Sequence, residues 1–318
     1  MSRYTEFDLA RVRTQAFGER ESKVRVEDFA RPPQGGASFN QFLESLPRIL
    51  AGPRIAEIAL AIVAARASGR AVIAALGGHV VKTGCSPILI DLMHRGWITG
   101  LAANGAVAVH DVEIALFGAT SEDVPAGLRS GLFGMARETA AFYNAATESA
   151  RAGGLGLGEA LGRALRETRA PHARASLLAA ADELGVPLTV HVALGTDIVH
   201  CHPSASGAAY GEASLRDFRI LTHAMQGLAG GGVLLNLGSA VVLPEVLLKA
   251  IALLRNRDPQ GFTGFLGVNF DFIQQYRSNQ QVVARVEAIG GRGIALTGHH
   301  EILIPLLGQA IIELSGAS

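Results

Sequence analysis

The residues able to do chemistry gather in short polar segments, each of which follows an apolar run. The first is Gly77-Gly78-His79-Val80-Val81-Lys82-Thr83-Gly84-Cys85-Ser86, which leads into a helix start at Ser86-Pro87. Backbone N–H groups and the positive end of a helix dipole attract anions at such a place, and Lys82, Thr83 and Ser86 add donors. A dinucleotide pyrophosphate suits it, although the spacing is neither the G-x-G-x-x-G fingerprint nor a Walker loop. Lys82 is one of only three lysines, with Lys23 and Lys249. A lysine beside a helix N-terminus serves either as an anion anchor or as an imine-forming nucleophile.

Asn104-Gly105-Ala106 comes next, with His110, Asp111 and Glu113 just beyond. Asp111 and Glu113 are two apart and do not share a helix face, which argues against a metal-binding pair. Either acid can hold a ribose or an amine, or simply face solvent. The richest segment runs from Gly195 to Ser204 and holds Asp197, His200, Cys201 and His202, with His191 nearby. Histidines at i and i+2 match no common zinc spacing, so no metal is expected, and Asp197 and His202 read as a polar substrate wall. A metal-dependent hydrolase on the His200/His202 pair is the alternative. Gly230-Gly231-Gly232 and Gly238-Ser239-Ala240 bracket a further apolar run, where small residues let a backbone approach a ligand or pack tightly. Asp271 follows Asn269 and Phe270 beside Phe272 and Tyr276, and an acid among aromatics suits a cationic amine. Thr297-Gly298-His299-His300-Glu301 opens the last helix.

These segments have to be positioned by the elements they join. AVIAAL (71–76), ITGLAA (98–103), PLTVHVAL, GVLLNL, FTGFLGVNF and GIALTG read as strands. Amphipathic stretches between them read as helices: Ser38 to Leu50, one opened by Pro53, one from Ser86, one from Gly105, a helical region from Gly131 to about Glu183, and others from Ser214, Leu243 and His300. This alternation predicts an α/β fold with a Rossmann-like, doubly wound, mostly parallel sheet and helices on both faces. Ligands in such sheets bind at the carboxyl ends of the strands, which is where the polar segments fall. Residues 1 to 37 are polar, contain Arg31-Pro32-Pro33 and Gly35-Gly36, and are expected to form an irregular arm before a single domain over 38–318.

Composition removes several function classes. The chain has 318 residues, 49% hydrophobic and 18% charged, enough apolar surface for a large core. Its formal net charge is zero, so nucleic acid is not an expected partner. The longest apolar stretch, 232–254, is broken by Asn236, Pro244, Glu245 and Lys249, which argues against a membrane span. The N-terminus lacks a signal peptide's apolar core, and the two cysteines, Cys85 and Cys201, suit a reducing compartment; a cytoplasmic location is expected.

The stretches 82–124, 191–219, 232–250, 268–277 and 297–308 together resemble the deoxyhypusine synthase-like family, particularly its bacterial branch. The resemblance implies a homotetramer with active sites between subunits, bound NAD, and an aminoalkyl transfer from a polyamine or related small amine. By position it implies an NAD wall of Thr83, Ser86, Asn104, Gly105, Ala106, Gly238, Ser239 and Asn269. It also implies a substrate side drawing on His200, Asp271 and Glu212; joined to the reading of the polar segments, the expected catalytic set is Lys82, His200 and Asp271 and the expected substrate-binding set is Asp197, His202, Glu212 and His299. The family's Trp-Gly-Lys segment has no counterpart in 278–293, which contains neither tryptophan nor lysine. Lys82 would then form the imine, or the reaction would stop at amine oxidation, use a diffusible amine acceptor or differ altogether, or the chain would be a non-catalytic NAD- or metabolite-binding oligomer.

Overall fold

The computed structural model describes residues 2–316 and divides into two compact units, one ending at Pro53 and one beginning at Arg54. In the first unit Ser38 caps the helix Phe39–Ser45, accepting from Gln41 N while the Gln41 side chain accepts from Ser38 N. The helix stops at Ser45 and does not reach Leu50, because Leu46 precedes Pro47 and is extended.

The second unit is built on six parallel strands: β1 Val72–Leu76, β2 Gly100–Asn104, β3 Leu188–His191, β4 Val233–Leu237, β5 Leu266–Asp271 and β6 Arg292–Thr297. Their order across the sheet is β3-β2-β1-β4-β5-β6. Strands β1 and β4 are apolar at nearly every position and buried throughout, as a sheet covered on both faces requires. The core beneath one face joins Ile73 and Leu234 to Leu221, Leu243, Leu247 and Phe265. On the register β1 pairs with β2 on one side and β4 on the other, so Leu76 lies beside both Ala103 and Leu237. The chain builds outward from β1 in both directions, and β1/β4 is therefore the switch point where a crevice opens at the carboxyl ends.

Two local features depart from the sequence reading. The segment after β1 is not an open Gly-rich loop, since Gly78–Lys82 winds into a helical turn that buries Val80 and Val81. The helix expected from Ser214 begins at Gly207, capped by Ser206, whose hydroxyl accepts from Ala209 N. No helix among the described residues is long and apolar enough to cross a membrane.

Candidate functional site

At the switch point the ends of β1 and β4 meet through glycine. Gly77 N donates to Leu237 O at 2.9 Å, and a Cβ on Gly77 would lie 2.0 Å from Gly238 O. Gly238 has φ 73°, and a Cβ there would lie 2.6 Å from the His300 ring. Ser239 follows, and its hydroxyl accepts from Leu243 N at the head of the helix Val242–Arg257. Beside the crevice, Asp271 is buried at the end of β5. His300 Nε2 donates to Phe270 O at 3.3 Å, which leaves Nδ1 as a buried acceptor with no partner. Burial holds His300 below the usual imidazole range and His79 adds to this, while the Phe270 carbonyl, Asp271 and Glu301 oppose it. Phe272 lies between the rings of His79 (5.3 Å), His300 (6.0 Å) and His299 (6.2 Å, stacked).

The other half of the site lies past β2. Asn104 caps the helix Gly105–Phe117, its side chain accepting from Val107 N at 3.0 Å. The Asp197 carboxylate rests on that helix start: a Cβ on Gly105 would lie 1.8 Å from Oδ2. Burial pushes the Asp197 carboxyl up to about 6. His200 Nδ1 accepts from Gly195 N (3.2 Å) and Asp197 N (3.3 Å), so the ring's proton is on Nε2. That Nε2 stands 3.9 Å from Asp197 Oδ2, and both atoms are buried without a hydrogen-bond partner.

Asp197 shares a cavity of about 220 Å³ with Lys82, Ala106, His110, Glu113 and Phe133. It is smaller than the usual ligand cleft of about 300–1,000 Å³, the right scale for an amino acid and too small for a dinucleotide. Gly78, next to Gly77 at the end of β1, packs against the helix that lines this cavity: a Cβ there would lie 3.1 Å from Ala106 Cβ and 3.4 Å from His110 Cδ2. A separate cavity of about 360 Å³ lies by the amino end of β3, around Pro187, Leu188 and Asp217. It is at the wrong edge of the sheet for a ligand held by strand carboxyl ends.

The structure thus brings Lys82, Ala106, Asp197 and His200 to one side and Gly238, Ser239 and Asp271 to the other. Several expected site residues have their polar groups engaged locally. The Thr83 hydroxyl donates to His79 O and Val80 O, and His202 Nε2 is paired with Gly134 O at 3.0 Å. Asn269 accepts from Asn236 at 2.8 Å and donates to Gln274 and Asn279, an amide network that ties β4 and β5 to the segment after β5. Ser86 Oγ is buried and unpartnered. Glu212 is exposed near Arg151 and Arg216, away from the crevice, and His299 is exposed. No group of His, Cys, Asp and Glu suited to a metal ion occurs among the described residues.

The sequence points to His110 beside Glu113 but assigns it no role. Its Nδ1 pairs with Thr120 Oγ1 at 2.7 Å, and Thr120 Oγ1 donates to Glu113 Oε2 at 2.5 Å. His110 and Glu113 are three apart and share a helix face, a signal that was available. Asp111 points the other way and caps the helix Leu177–Leu184, accepting from Ser176 Oγ (2.5 Å), Leu177 N (2.8 Å) and Leu178 N (3.0 Å).

Six parallel strands in this order, helices on both faces and a glycine-lined switch-point crevice define a Rossmann fold. Residues 56–128 match the family model described as arginine dihydrolase ArgZ-like, C-terminal, Rossmann fold. Among solved structures, the ternary complex of AgrE with ornithine and NAD+ is 16% identical, with a TM-score of 0.52 over 83% of this chain and 33% of that one. Unliganded AgrE is 17% identical, with a TM-score of 0.52 over 82% and 32%. ArgZ, an arginine dihydrolase from the ornithine-ammonia cycle in cyanobacteria, is 16% identical, with a TM-score of 0.49 over 84% and 33%. The chain spans about a third of the length of these proteins, and at such identities the likeness shows the fold alone. No curated protein matches the chain significantly.

These matches correct the deoxyhypusine synthase-like assignment and, with it, the polyamine substrate and the aminoalkyl transfer. The matched span contains the whole stretch 82–124 on which that resemblance chiefly stood. The physical reason is that this stretch holds the helix Ser86–His94, the strand Gly100–Asn104 and the helix Gly105–Phe117, whose residue types are set by packing and capping more than by one reaction.

Proposed function

We propose that this chain is an NAD-binding domain that acts on a small amino acid of the ornithine and arginine class. The dinucleotide would lie across the ends of β1 and β4. Gly77 and Gly238 carry no side chain, which lets the ends of β1 and β4 close on each other and on His300, and the 16-residue helix Val242–Arg257 begins beside them. Gly238, Ser239 and the unpartnered His300 Nδ1 are the groups that would hold it. When bound, NAD supplies a hydride acceptor. The amino acid would occupy the neighbouring cavity, with its carboxylate toward Lys82 and an ammonium group toward Asp197.

The observation that carries this reading is Asp197 Oδ2, buried and without a hydrogen-bond partner, on a side chain that lines the same cavity as Lys82. A cavity lined by Lys82 and by the acids Glu113, Glu122 and Asp197 suits an amino acid with one carboxylate and more than one ammonium group, and a buried carboxylate calls for a cation. The neighbour solved with ornithine and NAD+ supports the choice of ligands. Calorimetric titration of ornithine and of arginine into the NAD-saturated chain tests it. Saturable heat is expected, with binding much weakened in Asp197→Asn, and silence from both amino acids would end the proposal.

A further inference from the structure

We infer that His110 is a fixed hydrogen-bond acceptor for the substrate's ammonium group, held in that state by Thr120 and Glu113; the inference rests on the amino-acid reading above. Glu113 is a carboxylate that accepts from Thr120 Oγ1 (2.5 Å) and Thr139 Oγ1 (3.1 Å). A threonine hydroxyl has one proton, and once it is given to Glu113 the oxygen can only accept. Its other neighbour, His110 Nδ1 at 2.7 Å, must therefore be the N–H donor. A neutral ring protonated on Nδ1 carries a bare lone pair on Nε2.

Among the described residues no hydrogen bond reaches that Nε2, and the ring lines the cavity with Lys82 and Asp197. The charged groups around it are Lys82 on the turn Gly78–Lys82, Glu113 on its own helix, and Glu122 and Asp197 on the facing loops. Burial, with the Lys82 charge adding to it, lowers the His110 imidazole to about 4, so the ring stays neutral near neutral pH. A lone pair accepts an ammonium N–H, whereas the other tautomer would present N–H against N–H. The Glu113–Thr120 pair thus selects for an amine that still has N–H bonds.

Nitrogen NMR of the histidine-labelled chain, with His110→Asn used to assign the ring, reads the tautomer without any ligand. The expected spectrum shows Nδ1–H in the wild type and in Thr120→Ser, and a mixture of tautomers in Thr120→Val. Ornithine calorimetry on the same three chains should give affinities within about threefold for wild type and Thr120→Ser, and a loss of roughly tenfold for Thr120→Val. An Nε2–H ring in the wild type overturns the inference, as does equal ornithine affinity in all three chains. A wild type that binds no ornithine removes the amino-acid reading and this inference together. Ornithine binding with the wrong tautomer removes this inference alone.

Discussion

Asp197 Oδ2 and His200 Nε2 stand 3.9 Å apart in a buried setting, and neither atom has a hydrogen-bond partner. The His200 proton points toward a carboxylate it does not reach, and Asp197 is left with its charge unmet. This is the arrangement of a site that a ligand completes. Because burial raises the Asp197 carboxyl to about 6, protons and an ammonium group compete for it. The carboxylate is available above that pH and is lost as pH falls through it. Ornithine affinity is therefore expected to fall about tenfold per unit below about pH 6. Calorimetry across that range should show this slope in the wild type, and weak, pH-independent binding in Asp197→Asn.

Gly105→Ala places a methyl group where Asp197 Oδ2 now sits. Alanine is a better helix former than glycine, so the helix Gly105–Phe117 itself gains by about 1 kcal/mol at most. The damage should fall on Asp197, with ornithine binding weakened at least about tenfold and NAD binding unchanged. A variant that binds ornithine normally would show that the carboxylate has no part in the site.

Asp111→Ala tests the opposite case, an acid that is structural. It strips Ser176, Leu177 and Leu178 of their shared buried acceptor. A loss of about 3 kcal/mol in urea unfolding is expected, with ligand affinities unmoved in the fraction that folds.

His191 should set an acid limit on stability. Burial lowers its imidazole to about 3, while the unfolded chain titrates near 6.5. A ring kept neutral in the fold contributes its full stability above about pH 6.5, and that contribution is lost as pH falls toward about 3. His191→Gln should therefore narrow the gap between melting temperatures measured at about pH 7 and about pH 4. An unchanged gap would mean that the ring is not held neutral.

The strands and their loops were legible in the sequence because Val72–Leu76 and Val233–Leu237 are apolar runs between turn signals, and Asn104 and Ser38 are good caps. The strand order was not, since which strands pair depends on contacts between residues far apart in sequence, such as Leu76 with Leu237. Gly78–Lys82 was misread because its glycines drew attention from Val80 and Val81, which bury and wind the segment. The fixing of His110 depends on Thr120, which lies beyond the end of its helix. The role of Asp111 depends on Ser176, 65 residues away. Local patterning cannot report either partner.

Whether the β1/β4 crevice holds a dinucleotide is measured by direct titration of NAD into the whole chain. A saturable signal at one NAD per chain is predicted. Gly238→Ala should weaken it by at least about tenfold, because the strained backbone and the displaced His300 ring close the crevice. No heat and no rise in melting temperature at millimolar NAD, or equal affinity in Gly238→Ala, would contradict it.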